Sequence, residues 1–242
     1  MQNNKLNIGL IGYGKMGKII GEMAESKGHR ILLKTSSQNP IEKNIDLLKD
    51  LDVAIEFTSP EIAVHNLEVL AQNHVTTVCG STAWLEHYDR ICKMYTSNDA
   101  GFLYASNFSI GVNIFFALNT YLAKMMNGFE DYNVSMHESH HIEKKDAPSG
   151  TAVTLAEQIL ENVERKTSWH LDSADKTGIS VKATREADVK GLHEVFYTND
   201  IDQITIRHEA FNRKGFASGA LMAAEWISGK KGVYSMNDIL NI

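Results

Sequence analysis

The stretch His137-Glu138-Ser139-His140-His141-Ile142-Glu143-Lys144-Lys145-Asp146-Ala147-Pro148-Ser149-Gly150-Thr151 is dense in groups that move protons and hold charge. A histidine titrates near neutrality, so it can give up a proton where most side chains cannot. Lys144, four residues after His140, can hold a carboxylate as a point charge. Pro148-Ser149-Gly150-Thr151 then opens a helical pattern. The first backbone N–H groups there, at Gly150 and Thr151, and the Thr151 hydroxyl can receive a second anionic group. Together these features suit a small substrate with two carboxylates. The His-x-x-His-His spacing makes a poor zinc site, because a loop fixes no common face and no cysteine is near, so no metal is expected. The residues alone also fit a solvated polar loop followed by a helix cap, and both readings stay open at this point.

A second motif, Gly12-Tyr13-Gly14-Lys15-Met16-Gly17, fits G-x-G-x-x-G. It directly follows a strand-like run, Asn7–Ile11, and opens a helical pattern, which is the context a dinucleotide site needs. Gly12 permits the tight turn, Gly14 lets the backbone approach a pyrophosphate, and Gly17 lets helix and strand pack closely. The phosphate charge then faces the helix N-terminus. The second strand ends Leu33-Lys34-Thr35-Ser36-Ser37 without the carboxylate that would bind a free ribose 2′-hydroxyl. Lys34 and hydroxyls such as Ser36 accept a 2′-phosphate, so NADPH is expected over NADH, with NADH possible.

The elements that must position these motifs are legible in the periodicity. Leu6–Ile11, His29–Lys34, Val53–Phe57, Val75–Cys79 and Phe102–Ala105 read as strands. Helical patterns at Lys15–Lys27, Glu61–His74 and Leu85–Tyr95 alternate with them, which is the signature of a parallel α/β sheet. Ser59 and Pro60 read as an N-cap and an N1 proline. Beyond Asn107 the pattern changes. Helices are expected at Ile114–Met126, Ala152–Val163 and Phe216–Ile227, a strand at Tyr132–Glu138, and β-rich segments without helices from Ile179 to Phe211. The expected fold class is therefore α/β, a Rossmann-type parallel-sheet domain plus a central α+β domain with a mostly antiparallel sheet.

Composition excludes several classes. The 242 residues carry 24 Lys and Arg against 30 Asp and Glu, a formal charge of −6. A mildly acidic chain lacks the basic face that nucleic-acid binding needs. No apolar run approaches the length of a membrane span, and no segment reads as a signal peptide. Cys79 and Cys92 make neither a disulfide scaffold nor a zinc site. A cytoplasmic protein is expected, with no nucleic-acid or membrane partner.

The segment His140-His141-x-x-Lys144-x-Asp146-x-Pro148-Ser149-Gly150-Thr151-Ala152 resembles the signature of the dihydrodipicolinate reductases. Other segments agree in order along the chain: Glu56-Phe57-Thr58-Ser59-Pro60, Gly80-Ser81-Thr82, Ala105 to Asn113, Arg185-Glu186 through Gly191-x-His193, and Arg213-x-x-Phe216-Ala217-x-Gly219-Ala220. The resemblance implies a dinucleotide-binding domain from 1–107 and 214–242, and a substrate-binding and oligomerisation domain from 108–213 that builds a homotetramer. It implies NAD(P)H-dependent reduction of the cyclic product of dihydrodipicolinate synthase, a small dicarboxylate, to tetrahydrodipicolinate on the way to diaminopimelate and lysine. In that reaction hydride passes from the nicotinamide to ring C4. By motif position His140 is the proton donor, Lys144 engages a carboxylate and the developing charge, His141 binds or orients the substrate, and Gly150 and Thr151 hold a carboxylate. Gly12, Tyr13, Gly14, Lys15, Met16 and Gly17 are expected on the cofactor, with Phe57, Thr58, Gly80, Thr82, Ser106, Asn107 and Phe108 toward the nicotinamide. A cleft that closes, hinged near Asn107–Ser109 and Asn212–Gly215, is expected to exclude water.

Three departures from the family pattern bear on these expectations. The acid near the end of the second strand is missing. The segment between the second and third strands is short, so one helical crossover is expected to shrink. Ser81 replaces the usual threonine. Two competing readings keep the glycine motif: another two-domain NAD(P) oxidoreductase, and a nucleotide sensor without chemistry. Neither accounts for both His140 and Lys144. His137, His193 and His208, on strand-like segments, read as structural histidines.

Overall fold

The structure is a computed structural model that describes residues 5–212 and 214–242. Arg213, part of the family pattern, lies outside the described residues, as do residues 1–4. In chain order the elements are β1 (Asn7–Ile11), α1 (Lys15–Ser26), β2 (Arg30–Lys34), α2 (Ile45–Leu48), β3 (Val53–Glu56), α3 (Pro60–Gln72), β4 (Thr77–Cys79), α4 (Tyr88–Ser97), β5 (Gly101–Tyr104) and α5 (Ile110–Met126). There follow β6 (Asn133–His140), α6 (Gly150–Asn162), β7 (Ser168–Leu171), β8 (Gly178–Arg185), β9 (Leu192–Thr198), β10 (Gln203–Glu209), α7 (Lys214–Ile227), β11 (Gly232–Tyr234) and α8 (Met236–Leu240). The chain divides into two compact units, Met1–Ser109 with Lys214–Ile242, and Ile110–Arg213.

The first unit is built on six parallel strands in the order β11-β5-β4-β3-β1-β2. Its four inner strands, β1, β3, β4 and β5, are short and buried on both faces, as a parallel sheet covered by helices requires, while the edge strands β2 and β11 are partly exposed. Alternate side chains serve two cores. Ile8, Leu10, Val53, Ile55, Val78 and Leu103 face one cluster with residues of α1 and α7. Ile11, Ala54, Cys79 and Phe102 face the other, with residues of α3 and α4. The crossover between β2 and β3 is indeed reduced, to a 3-10 turn at Ile41–Asn44 and the single turn α2, anchored by buried Ile41 and Leu48. Pro60 is the first residue of α3, while the Ser59 side chain makes no capping bond.

The second unit carries a mixed sheet in the order β10-β9-β6-β8-β7. Strand β9 is antiparallel to both neighbours, whereas β6–β8 and β7–β8 are parallel. Helices α5 and α6 pack on one another and share a core with Val134, Met136, Val181, Val195 and Tyr197. The period-two alternation of β6 sends Val134, Met136, Glu138 and His140 to one face. Apolar residues fill that face at one end, and Glu138 and His140 continue it as buried polar groups at the other. That change of chemistry along one strand face is what creates the site.

Candidate active site

In the first unit, the turn from β1 to α1 has the geometry the glycine motif predicts. Gly12 has φ +95°, and a Cβ there would lie 2.2 Å from the Phe57 carbonyl oxygen. A Cβ on Gly17 would lie 2.3 Å from the Gly12 carbonyl oxygen. A Cβ on Gly14, by contrast, would meet nothing within 4 Å, so the N-terminus of α1 faces open space. The first turn of α1 holds no acid to oppose an anion. These residues fit a dinucleotide pyrophosphate. The Thr35 hydroxyl accepts the Gly12 N–H at 3.0 Å and the Thr35 carbonyl accepts the Tyr13 N–H at 2.8 Å, so Thr35 supports the loop.

A cavity of about 520 Å³ lies against this turn. Of the residues expected on the cofactor, Gly12, Tyr13, Gly14, Ser36, Phe57 and Thr58 line it. Lys15 is exposed in the first turn of α1, Gly17 is buried, and Met16 packs against the core. Lys34 is not in the lining. Its ammonium lies 4.8 Å from the Tyr13 ring centroid and 3.5 Å from Glu25. Toward the expected nicotinamide end, Gly80 sits directly against Phe57, where a Cβ would be 2.2 Å from the ring. The Phe57 and Phe108 rings lie 5.8 Å apart. Asn107 is buried and accepts the Ser109 N–H at 2.8 Å, whereas Thr82 and Ser106 are exposed. Glu42 and His65, hydrogen-bonded to each other, also line the cavity, and sequence reasoning passed over both.

In the second unit, strand register brings distant residues together. His140 pairs across the sheet with Arg185, and Glu138 with His193. Glu138 is fully buried. Its carboxylate accepts the Ser149 N–H at 3.1 Å, faces both terminal nitrogens of Arg185 at 3.3 Å, and lies 3.5 Å from His140 Nδ1. The His140 and His193 rings meet edge to face, with centroids 5.1 Å apart. His193 Nε2 is 3.1 Å from Ser149 Oγ, which also caps α6 by accepting the Ala152 N–H. Burial pushes the His140 imidazole below its ordinary pKa; the Glu138 and Asp146 carboxylates oppose that, and Lys144 and Arg185 reinforce it. His193 is driven down to about 3, chiefly by burial and then by the neighbouring His140.

Lys144 lies on the loop that follows, with its ammonium 2.9 and 2.8 Å from the two Asp146 oxygens. Arg185 holds that loop by donating to the carbonyls of Lys144 and Asp146, at 3.2 and 2.5 Å. A Cβ on Gly150 would meet nothing within 4 Å, so the N-terminus of α6 also faces open space. Thr151 follows in the first turn, partly buried. His141 lines a cavity of about 500 Å³ with Glu143, Asp188, Lys190 and Asn212, and none of His140, Lys144, Gly150 or Thr151 borders it. Glu138, His140 and His193 offer three ligand-type atoms within 4.8 Å of one another, but Arg185 already supplies the positive charge that the carboxylate needs.

Comparison with known proteins gives the family. The sequence model of the dihydrodipicolinate reductase N-terminus matches residues 6–108, and that of its C-terminus matches residues 111–240. The chain belongs to the dihydrodipicolinate reductase family. It is 45% identical over 237 residues to the 4-hydroxy-tetrahydrodipicolinate reductase of Christiangramia forsetii, covering 98% of each chain. It is 35% identical over 240 residues to that of Rickettsia bellii, covering 96% of this chain and 94% of the relative. Its fold is shared with a dipicolinate-bound dihydrodipicolinate reductase from Paenisporosarcina sp. TG-14 at TM-score 0.73 and 22% identity, over 96% and 98% of the two chains. The family consists of NAD(P)H-dependent oxidoreductases of lysine and diaminopimelate biosynthesis, and the chain is an oxidoreductase of that family. No described helix of this reductase is long and apolar enough to cross a membrane.

His193, read from the sequence as a structural histidine, is buried and lies 3.1 Å from Ser149 Oγ, with its ring beside that of His140. The sequence signal for the Glu138 group was a charged residue on the apolar beat of a strand. His137, on the opposite face, is hydrogen-bonded through both ring nitrogens to Glu194 and Thr184.

Proposed function

We propose that this chain reduces 4-hydroxy-tetrahydrodipicolinate to tetrahydrodipicolinate with NADPH as the preferred donor and NADH accepted, working as a cytoplasmic homotetramer. The observation that carries the reading is that His140 and the Ser149 N–H at the start of α6 meet one carboxylate, Glu138, whose partner Arg185 holds the Lys144 loop, in a chain that also builds a dinucleotide turn at Gly12–Gly17. A ring with two carboxylates fits that set: Lys144 takes one, and the N–H groups at Gly150 and Thr151 take the other. His141 takes the orienting role by its place in the motif, from a neighbouring cavity that His140, Lys144, Gly150 and Thr151 do not border.

The nicotinamide coenzyme supplies the hydride. This chain's residues do the rest. The 4-hydroxyl leaves as water to give the conjugated dihydro ring. Hydride then adds to C4 of that ring, Lys144 stabilises the negative charge that builds, and one proton completes the reduction. His140 delivers a proton from Nε2, because Nδ1 is the nitrogen that faces Glu138. In the free chain burial keeps His140 below its ordinary pKa. A dianionic substrate brings charge of the sign that raises it, so substrate binding charges the acid it needs. Preference for NADPH rests on Ser36 and Ser37 in the cavity lining and on the missing acid at the end of β2. Association through the central unit is supported by its edge strand β10, which exposes Ile204, and by exposed Ile201 and Phe211 on either side. Two unpaired cysteines suit a reducing compartment.

The test is oxidation of NADPH with substrate formed in situ by a dihydrodipicolinate synthase, for the wild type and His140→Gln. Synthase-dependent oxidation that falls about 10²–10⁴-fold in the variant, with NADPH binding intact, is expected. Unchanged turnover removes His140 from the role of donor.

A further inference from the structure

Glu138 meets three groups that bear on the proposed site. Its Oε2 lies 3.5 Å from His140 Nδ1, and its two oxygens share the Ser149 N–H at the start of α6. Its Oε1 meets the Arg185 guanidinium, and Arg185 in turn holds the carbonyls of Lys144 and Asp146. The acid, the carboxylate-receiving helix end and the lysine loop therefore converge on one fully buried carboxylate. Such a charge is costly to bury unless paired, and Arg185 pairs it. An apolar residue on that strand beat would extend the core formed by Val134 and Met136 at no such cost, yet a carboxylate stands there.

We propose that Glu138 is the positioning residue of this site, a single carboxylate that fixes His140, the α6 N-terminus and, through Arg185, the Lys144 loop in one arrangement. The inference rests on the reading of His140 as proton donor. His140 Nδ1, buried and without a hydrogen-bond partner among the described residues, faces Glu138 Oε2 at 3.5 Å, and Nε2 lies on the side of Gly191, where an added Cβ would touch it at 3.4 Å. Its charge also supports the imidazolium form, while Arg185 works against it. The other groups facing this ring pair are Lys144 and Asp146 from the loop, His193 from β9 and, beyond His193, His208 from β10.

The charges of Glu138 and Arg185 are opposite, so their removal has opposite consequences, which a purely structural role does not produce. The experiment is an NMR titration of the histidine Cε1 protons in the free chain, with His140 identified by its loss in His140→Gln. It is paired with kcat against pH. In Glu138→Gln, His140 is expected to titrate at lower pH than in the wild type, and in Arg185→Gln at higher pH. The descending limb of kcat follows in each case. Each pH unit by which that limb moves changes the rate above it about tenfold. The double variant leaves no buried charge unpaired and is expected between the two singles. If Glu138→Gln alone does not fold, the comparison of the double variant with Arg185→Gln still isolates the Glu138 charge. Folded variants in which His140 does not move, or moves the same way in both singles, overturn the proposal. Wild-type kcat in His140→Gln would defeat the donor reading separately, while the titration still decides whether Glu138 sets the ring.

Discussion

Both carboxylate oxygens of Asp146 lie within hydrogen-bond distance of the Lys144 ammonium, at 2.9 and 2.8 Å. The lysine proposed to receive a substrate carboxylate thus already holds one of the chain's own. Asp146 is exposed, so the pair is worth about 0–1 kcal/mol against solvent. A substrate carboxylate must displace it. Asp146→Asn keeps the backbone carbonyl that Arg185 binds and removes only the charge. The expected outcome is a KM for the dicarboxylate lower by up to about fivefold, with the KM for NADPH unchanged. Steady-state kinetics at saturating NADPH measures it. A raised KM would mean that Asp146 holds Lys144 in place for the substrate instead of competing with it.

The depressed pKa of His193 makes stability depend on pH in a stated direction. Its imidazole stays neutral in the folded chain down to about 3, because burial and the adjacent His140 disfavour its charge. In the unfolded chain it charges near 6.5. The unfolded state therefore binds the extra proton between those values, and stability falls as pH drops from about 6.5 toward 3. Above 6.5 the contribution is complete. Urea unfolding at pH 7 and pH 5 should differ by about 2 kcal/mol from this residue. His193→Gln should flatten that difference. An equal pH slope in the variant would mean that other groups set it.

Much of the architecture is legible because local pattern and tertiary demand agree. The run Ile8–Ile11 is apolar and is followed by Gly12, and both the buried strand and the tight turn require that order. The dense segment from His137 to Thr151 fits both chemistry and a solvated polar loop on composition, and the match to the family pattern decides between them. Other elements are not legible because their cause lies elsewhere in the chain. The three residues of β11 become a strand only by pairing with β5. The edge strand β7, with the sequence Ser-Trp-His-Leu, is half exposed and lacks a clear alternation. In the site, His140 and Lys144 are readable as reactive types, but Arg185 comes from a strand 47 residues beyond Glu138 and is joined to it only by register. Lys34 is a position where the sequence pattern and the side-chain contacts differ. Its charge and position at the end of β2 point to a phosphate, while its side chain stacks over Tyr13 outside the cavity lining.

Cofactor choice can be tested at Ser36, which lines the cavity at the end of β2. A carboxylate there would repel a 2′-phosphate and accept hydrogen bonds from a free ribose. Ser36→Asp should raise the KM for NADPH by about tenfold or more and lower that for NADH, as expected when like charges are brought together. Lys34→Ala should change the ratio less, because its ammonium is held by Tyr13 and Glu25. A larger effect from Lys34 than from Ser36 would place the 2′-phosphate on the lysine instead.

Gly219 tests how the last long helix seats on its own unit. It lies in α7, and a Cβ there would fall 1.7 Å from the Phe108 carbonyl oxygen. The obstacle is backbone, so no side-chain rotation relieves it, and either α7 or the segment after β5 must shift. Phe108 and Ala217, Ala220 and Leu221 of α7 share one core cluster, so any shift is felt across close-packed surfaces. Overpacking of this kind costs about 1–3 kcal/mol, and the gain in helix propensity from glycine to alanine, about 1 kcal/mol, offsets only part of it. Gly219→Ala should therefore lower the thermal midpoint. Because Phe108 packs against Phe57 at the proposed nicotinamide end, the same change should also raise the KM for NADPH. Differential scanning calorimetry and cofactor titration of this variant separate the two effects. A stabilised protein with unchanged NADPH affinity would show that α7 does not press on Phe108 as closely as this geometry requires.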